Sequence, residues 1–400
     1  MELKYQINDT RTPDRFKKST FGGYKKGDTL SEFTKACETN KLENALFWLT
    51  EIHCSHYIDE LFEKIFIFIS TKVHLNSFQL PLIIWNHFLF WQSQEINTVN
   101  TVNTVNTVNT VNTVNNQKVR NSLFETVALL IQCEKHRILP KKKTIKDVDF
   151  NITKLTTMIT CSTNHMSPNI IKTKDPKVLT IVFNEFSYCI TRHQDLQGKI
   201  QDKKMKERED YMDKAIYWLC WIHKWETNQR KKGGTADCSS RSVTGISDED
   251  SCDIIWICWS VILAECKRRV TDNCISQVAA LFNMYKHRFT RSKKASKMPI
   301  IIHALALLIL DNAPPTKTIL TNPLTIQAVM KCNLLYQNMK QFEVRVQLPP
   351  VDLMQVQPAT GRLVKDKKSK GKKETHSIKT IESMNKMDLV MKIDMDRQNH

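Results

Sequence analysis

Glycine is scarce in this sequence, with nine residues in 400, and none lies between Asp28 and Gln197. An average chain contains about 7% glycine. Because hairpins and strand-to-helix turns use glycine for positive φ angles, so long a stretch without it favours helices joined by polar loops. The nearest approach to a phosphate-binding loop is residues 22–29, where Asp28 stands in place of the required lysine. The sequence therefore predicts an all-α fold without such a loop.

Long apolar runs and paired cysteines are also missing. The longest apolar runs, 254–264 and 299–310, fall far short of the ~20 residues that a membrane-spanning helix needs. The 12 cysteines include no Cys-x2-Cys pair, and several lie in apolar helical stretches, where free cysteine acts as a small buried side chain. No signal peptide is evident. We therefore expect a protein of an intracellular, reducing compartment, with no membrane contact.

Motifs for metal binding and catalysis do not occur either. The cluster His53-Cys54-Ser55-His56 offers three ligands where a structural zinc site needs four convergent ones. No Gly-x-Ser-x-Gly, His-Glu-x-x-His or Gly-x-Gly-x-x-Gly is present. We therefore predict a protein that is not an enzyme and that binds no metal and no cofactor.

Positive charge, in contrast, is abundant and clustered. Lys and Arg number 59 against 41 Asp and Glu, which gives a net charge of +18. A field of this size favours polyanions, with nucleic acid first and an acidic protein or membrane surface second, while solubility alone is the simpler alternative. The nucleic-acid contacts predicted from these clusters are Lys231, Lys232, Arg268, Arg269, Lys293, Lys294, Lys367, Lys368, Lys370, Lys372 and Lys373.

The second half of the chain repeats the first. Residues 43–53 (ENALFWLTEIH) align with 213–223 (DKAIYWLCWIH), with five identities in 11 positions. In both segments Ala, Trp, Leu and Ile recur at the spacing of one helix face. Three shorter matches follow in the same order: 59–62 with 253–256, 85–88 with 282–285, and 127–130 with 305–308. We therefore predict two duplicated four-helix units that form bundles or a short helical array.

The repeat also sets the expected domain organisation. The first unit contains an Asn-Thr-Val low-complexity insertion at 97–116, which we expect at an exposed loop tip. The run Lys365 to Lys373 cannot bury apolar surface, so the tail is predicted to be disordered, as a nuclear-import signal, a nucleic-acid arm or a solvated end without a role. The predicted parts are a flexible N-terminal arm (1–29), the first helical unit (30–140), a connector (141–177), the second helical unit (178–345) and a basic tail (346–400).

Aromatic residues gather in the second unit. Trp218 and Trp256 fall on the apolar face of the repeat and are predicted to be core. Trp221 and Trp225 lie one turn apart and close in sequence to the cations 230–232, so they are candidates for base stacking or partner docking. Packing within or between the two units is the alternative for both residues.

Residues 45–52 (ALFWLTEI), followed by 61–70 (LFEKIFIFIS), resemble the C-terminal collar domain of clamp-loader ATPases. Residues 127–130 resemble the next conserved helix of that collar. The paired arginines and the Ser-Glu-Asp run of the family are replaced by 63–64 and 70–72, and no ATPase module precedes the region in this sequence. The resemblance implies a helical oligomerisation module rather than a catalytic one. The asparagine tract and the Lys and Ile bias also look like those of proteins from large DNA viruses of protists, which implies the host cytoplasm, a viral factory or the nucleus.

These observations predict a non-catalytic helical scaffold or adaptor in a replication or gene-expression complex. It would have protein partners, would bind nucleic acid without sequence preference and could form an oligomer. Two alternatives stay open. One is a scaffold of translation initiation that bridges a helicase and a cap-binding protein, and the other is a virion protein that neutralises packaged DNA.

Overall fold

Helices account for 73% of the residues that the structure describes, and none of those residues lies in a β-strand. The all-α prediction is therefore confirmed. The computed structural model describes residues 4–102, 113–135, 143–167, 169–192, 201–234, 236–268, 272–310 and 323–344. Within these ranges, no helix is both long enough and apolar enough to cross a membrane. The tail 346–400 lies outside the described residues.

Thirteen α-helices follow one another along the described chain, joined by short 3-10 turns and loops. The first half contains α1 (Lys26–Glu38), α2 (Leu42–Cys54), α3 (Ile58–Phe68), α4 (Leu80–Val102) and α5 (Gln117–Gln132), with a π-helical turn Ile69–Val73 after α3. The connector contains α6 (Ile152–Met158). The second half contains α7 (Lys177–Thr191), α8 (Gln201–Lys231), α9 (Asp248–Ser251), α10 (Ile255–Arg268), α11 (Asp272–Lys286) and α12 (Lys294–Ile309), and α13 (Pro323–Met339) follows it.

The predicted apolar faces of α2 and α8 form the core of each half. Ala45, Trp48, Leu49 and Ile52 of α2 are all buried. Their counterparts in the repeat, Ala215, Trp218, Leu219 and Ile222, are buried as well. The i, i+3, i+4, i+7 spacing places these side chains on one helix face, and burying that face stabilises each half by removing apolar surface from water.

The two halves pack their helices in the same pairs. In the first half α1 packs on α2 and α3, α5 packs on α2 and α4, and α3 packs on α4. In the second half α7 packs on α8 and α10, α12 packs on α8 and α11, and α10 packs on α11. The helices α1 to α5 therefore correspond to α7, α8, α10, α11 and α12. Each half has five helices in this arrangement, one more than the four-element repeat found in the sequence, because α1 and α7 share a position but no matching segment.

Helix α13 follows the second half in the chain but packs against α2 and α5 of the first. The predicted second unit, residues 178–345, therefore ends in a helix that completes the first. Tyr336 of α13 is fully buried there. Its hydroxyl and His53 Nδ1 of α2 are joined by a hydrogen bond of 2.5 Å.

The segment predicted as a flexible arm, residues 1–29, is packed onto the first half from residue 4 onward. Ile7, Phe16 and Phe21 are buried, and the Ile7 amide donates to Asn115 Oδ1 at 2.9 Å. The prediction of a flexible arm is corrected for these residues. Their apolar side chains are spaced too irregularly to show a helical period, yet each fills a gap in the core.

The Asn-Thr-Val tract, predicted as a loop over residues 97–116, is partly helical. Helix α4 continues into it as far as Val102, and residues 113–115 form a 3-10 turn with Val114 buried. The prediction is therefore corrected at both ends of the tract. Its middle, residues 103–112, lies outside the described residues.

The two halves are joined by contacts between α4 and α11 and by contacts of α12 with α3 and with the π-helical turn. Lys293 Nζ pairs with Glu63 at 2.8 Å, and Arg288 pairs with Glu60 at 3.2 Å. The ring of His287 lies 4.6 Å from that of Phe88. All described residues accordingly belong to one compact unit, Met1–Val346.

Candidate functional site

A pocket of about 360 Å³ opens in the second half, between the C-terminal part of α8 and the N-terminus of α12. Two basic clusters of the sequence, 230–232 and 288–297, are about 60 residues apart in the chain and meet here. The pocket is lined by His223, Glu226, Thr227, Arg230, Lys231, Arg291 and Lys294. Four of these seven side chains are cationic, and one is acidic.

The buried end of the pocket is an ion triad. Lys294, at the first position of α12, donates to Asp253 at 2.8 Å and also to Glu226 of α8. All three side chains are less than 5% exposed. Burial raises the pKa of Glu226, repulsion from Asp253 raises it further, and the ammonium of Lys294 opposes both. The cation therefore allows two carboxylates to lie together in the interior.

The same network continues outward to the surface. Arg230 pairs with Glu226 at 3.1 Å and with Asp237 at 3.6 Å. Arg291 pairs with Asp237 at 3.1 Å and lies 3.7 Å from Asp250. Acidic and basic side chains thus alternate from the buried end to the exposed end.

This alternation leaves the pocket close to neutral. Three cations of the network face four carboxylates, and the exposed Lys231 brings the cations to four. A phosphate entering here would meet three cations that already hold a carboxylate, and Lys231 alone of the four lining cations has no ion pair among the described residues. The pocket therefore does not supply the excess positive charge that an anion site needs.

The predicted nucleic-acid contacts have different surroundings. Lys231 and Lys232 are exposed and have no ion pair among the described residues. Arg268 is exposed and pairs with Glu265 at 3.0 Å. Lys293 pairs with Glu63 across the two halves. Arg269, Lys367, Lys368, Lys370, Lys372 and Lys373 lie outside the described residues.

Two predicted contacts are corrected because their side chains are buried. Lys294 is 3% exposed and is held by the ion triad. Trp221 is 2% exposed, and its Nε1 donates to the Asp149 carbonyl at 3.0 Å. The ring of Phe150 lies 4.9 Å from that of Trp221. The connector (141–177) therefore covers this face of α8 through Asp149 and Phe150, while Trp225 stays partly exposed.

The carboxylates of the network were not foreseen from the sequence. Glu226 and Arg230 stand four residues apart on α8, a spacing that does indicate an ion pair on one helix face. Asp237, Asp250 and Asp253 join the ion network only through the tertiary fold, so no local pattern could reveal them.

The lining of the pocket contains one hydroxyl, that of Thr227, and it donates to the His223 carbonyl at 2.9 Å within α8. Across the described part of the chain, no group of three or more His, Cys, Asp or Glu is placed to hold a metal ion. The two histidines of the His53-Cys54-Ser55-His56 cluster diverge, since His53 bonds to Tyr336 while the ring of His56 lies 6.3 Å from that of Phe16.

Comparison of the chain with known protein families, with curated proteins and with solved structures finds no match. Geometry and charge are therefore the basis on which a function is assigned.

Proposed function

We propose that this protein is a non-catalytic helical adaptor that holds protein partners on nucleic acid within a replication or gene-expression complex. The observation that carries the proposal is the charge of the compact unit. Residues 347–400 contain 11 of the 59 Lys and Arg and seven of the 41 Asp and Glu, which leaves 48 and 34 in Met1–Val346. The compact unit thus carries +14 of the total +18. Because an ion pair removes one charge of each sign, this excess stays available to a polyanion.

The uncompensated cations are spread over the surface. Exposed lysines without an ion pair in the described part of the chain include Lys18, Lys25, Lys64, Lys118, Lys174, Lys177, Lys231, Lys232 and Lys267. They come from both halves and from several helices and loops. Such a distribution favours attraction to the phosphate backbone over readout of bases by one inserted element. The repeated helices provide the surface for protein partners, and the resemblance to a collar domain supports a scaffolding role.

The test is binding of the full chain to a labelled 30-nucleotide single strand and to a 30-base-pair duplex, followed by fluorescence anisotropy at several salt concentrations. Counterion release predicts that log K falls by about 0.9 per neutralised phosphate for each tenfold rise in salt on duplex DNA. Replacing Lys367, Lys368, Lys370, Lys372 and Lys373 by Gln should make the slope shallower without abolishing binding, since the compact unit keeps its +14.

The matched control replaces the same five lysines by Arg, which retains the charge and should leave the slope unchanged. Two results would contradict the proposal: no binding at low salt, or complete loss of binding on neutralising the five tail lysines.

A further inference from the structure

Helix α13 carries an apolar stripe on the side that faces away from the first half. Along this stripe Ile326 is 65% exposed, Met330 78% and Leu334 41%. Nine large apolar side chains are exposed in the described part of the chain, and three of them therefore lie on this one helix. Single exposed apolar side chains are common on protein surfaces, whereas a contiguous group of them marks an interaction surface.

The stripe and the buried face of α13 lie on opposite sides of the helix. Packing on α2 and α5 buries Ala328, Cys332, Tyr336 and Met339. The stripe residues stand four positions apart, so they follow one another along the other side over about 12 Å. A helix that is apolar all round is normally buried all round. The outward face of α13 has no comparable cover among the described residues.

The charge of α13 excludes a polyanion from this face. Lys331 is the one charged residue among the 17 of the helix, and it pairs with Glu43 of α2. The exposed polar residues beside the stripe, Gln327 and Gln337, are neutral. A phosphate or an acidic peptide would find no unpaired cation on this helix. The compact unit as a whole carries +14, so two copies can approach closely only through a neutral surface such as this one.

The stripe is symmetrical about its central residue. Ile326 precedes Met330 by four positions, and Leu334 follows it by four. If two such helices cross antiparallel on a two-fold axis at Met330, that residue meets its own copy and Ile326 meets Leu334 of the second copy. A two-fold interface requires this self-complementarity, in which each chain supplies both halves of every contact. Ridges of residues four apart are also those that most often interdigitate where helices pack.

We infer that the outward face of α13 is a dimerisation surface, on which a second copy of this chain packs its own α13 antiparallel with Met330 at the two-fold axis. The helix contact buries only three apolar side chains of each chain, so the association is weak and depends on concentration. It does not rest on nucleic-acid binding, and salt separates the two. Screening the repulsion between two positive bodies strengthens the dimer, whereas counterion release weakens nucleic-acid binding.

The test is sedimentation equilibrium of the full chain over a micromolar concentration series at low and at high salt. The mean mass should rise from 46.6 kDa toward twice that value with concentration, and further at high salt. Met330→Glu places two carboxylates against each other at the axis and should weaken the dimer at least about tenfold. Ile152→Glu is the matched control, because Ile152 is also 78% exposed, and it should change nothing. A mass of one chain at every concentration, or equal weakening by both variants, would overturn the inference.

Cysteine cross-linking tests the antiparallel arrangement. Met330→Cys lies on the axis, so mild oxidation with copper phenanthroline should link two copies through a disulfide. Gln337→Cys is exposed on the same face but stands seven residues from the axis, about 21 Å along the helix from its copy, and should not link. The unsubstituted chain gives the background of the 12 native cysteines. Equal linking at both positions, as in a parallel pair, or linking at neither would contradict the geometry.

A lipid surface is the other occupant that an uncharged apolar stripe could take. Flotation of the full chain with phosphatidylcholine vesicles, which carry no net charge, separates this case from a dimer. We expect the chain to stay with the soluble fraction. Flotation that Met330→Glu abolishes and Ile152→Glu leaves intact would assign the stripe to lipid and overturn the inference.

Discussion

Lys294 is a basic residue that the sequence places on a charged surface and that the structure places in the interior. In the sequence it belongs to a run of basic residues typical of a charged surface. In the structure it is buried between Glu226 and Asp253. Lys297, one turn further along α12, is also buried, and its Nζ donates to the Tyr285 carbonyl at 3.0 Å near the end of α11. Burial lowers the pKa of Lys297 to about 8.

Replacing Lys294 by Met should destabilise the protein strongly. It removes the cation and leaves two carboxylates in the interior, at a cost of about 3–5 kcal/mol in the free energy of unfolding. Urea unfolding at pH 7 measures the change. Lys232→Met, at an exposed position, is the matched control and should change stability by less than ~0.5 kcal/mol. Equal stability of the two variants would show that the triad does not form.

Two histidines predict a loss of stability in mild acid, of which His303 is fully buried and His287 largely so, with a side chain 11% exposed. Burial lowers the pKa of His287 to about 4 and that of His303 to about 3. The unfolded chain binds protons at about pH 6.5, whereas these folded sites stay neutral. Protonation therefore favours the unfolded state as the pH falls below 6.5.

At pH 5 the expected loss is about 2 kcal/mol for each histidine, from 1.36 kcal/mol per pH unit. The folded pKa values of His53, His56 and His87 are lowered by burial too, so they act in the same direction. Urea unfolding at pH 7.5, 6 and 5 measures the slope. A free energy of unfolding that is constant over this range would contradict the burial of neutral imidazoles.

At the scale of elements, sequence periodicity predicts the buried face of a single helix. It does not predict contacts between helices that are distant in the sequence. The faces of α2 and α8 follow from apolar spacing alone, as the buried Trp48 and Trp218 show. The correspondence of α1 with α7 is visible only in their packing, because a buried helix face tolerates many apolar sequences. The packing of α13 on α2 and α5 depends on contacts between residues that are nearly 300 positions apart in the sequence, such as that of His53 with Tyr336. No sequence window contains both partners.

Truncating Tyr336 should therefore weaken the first half. Tyr336→Ala removes a fully buried ring from between Arg120 and Phe124, and we expect a loss of about 3–5 kcal/mol. Tyr336→Phe keeps the ring and removes only the hydrogen bond to His53, so a loss of about 1 kcal/mol is expected. Chemical denaturation of both variants measures the difference. Similar, small losses in both would show that α13 is not seated on α2 and α5.

Deleting different parts of the Asn-Thr-Val tract should have different effects on the stability of the protein. Removing residues 103–111, three whole triplets, should leave stability nearly unchanged, because loop length alters closure entropy by only about 0.6 kcal/mol per doubling. Removing 97–115 also takes away buried Val114 and Asn115, whose Oδ1 accepts from the Ile7 amide. Thermal melting should show a loss only for the longer deletion. A large loss for the shorter one would mean that the middle of the tract packs against the body.

At the scale of the whole molecule, the two halves are neighbours in one body rather than independent domains. Segments from opposite ends of the compact unit bond to each other, since Thr10 donates to the Val344 carbonyl and the Asn8 amide donates to Glu343. We expect a single cooperative unfolding transition, with calorimetric and van't Hoff enthalpies in agreement. Two separate transitions would show that each half unfolds alone.

The candidate site shows the limit of the sequence at this scale. The sequence shows the positive charge and its clusters, but of the ion pairs it indicates only that of Glu226 with Arg230. The other pairs turn the meeting point of two basic clusters into a nearly neutral pocket. The electrostatic part of the proposed function rests on a count of residues. The shape and neutrality of the pocket follow only from the fold.

The packing of α13 on the first half also has a consequence for folding during protein synthesis. The first half is complete through α5 at Gln132, but Tyr336 emerges from the ribosome about 200 residues later. Translation proceeds at roughly 5–20 residues per second. The groove between α2 and α5 therefore stays uncovered for on the order of 10–40 s before α13 is synthesised. During that interval a nascent chain exposes an apolar recess around His53 and Phe124. Chaperones bind exposed apolar surface of this kind. In any chain whose translation stops before α13, the recess stays uncovered permanently.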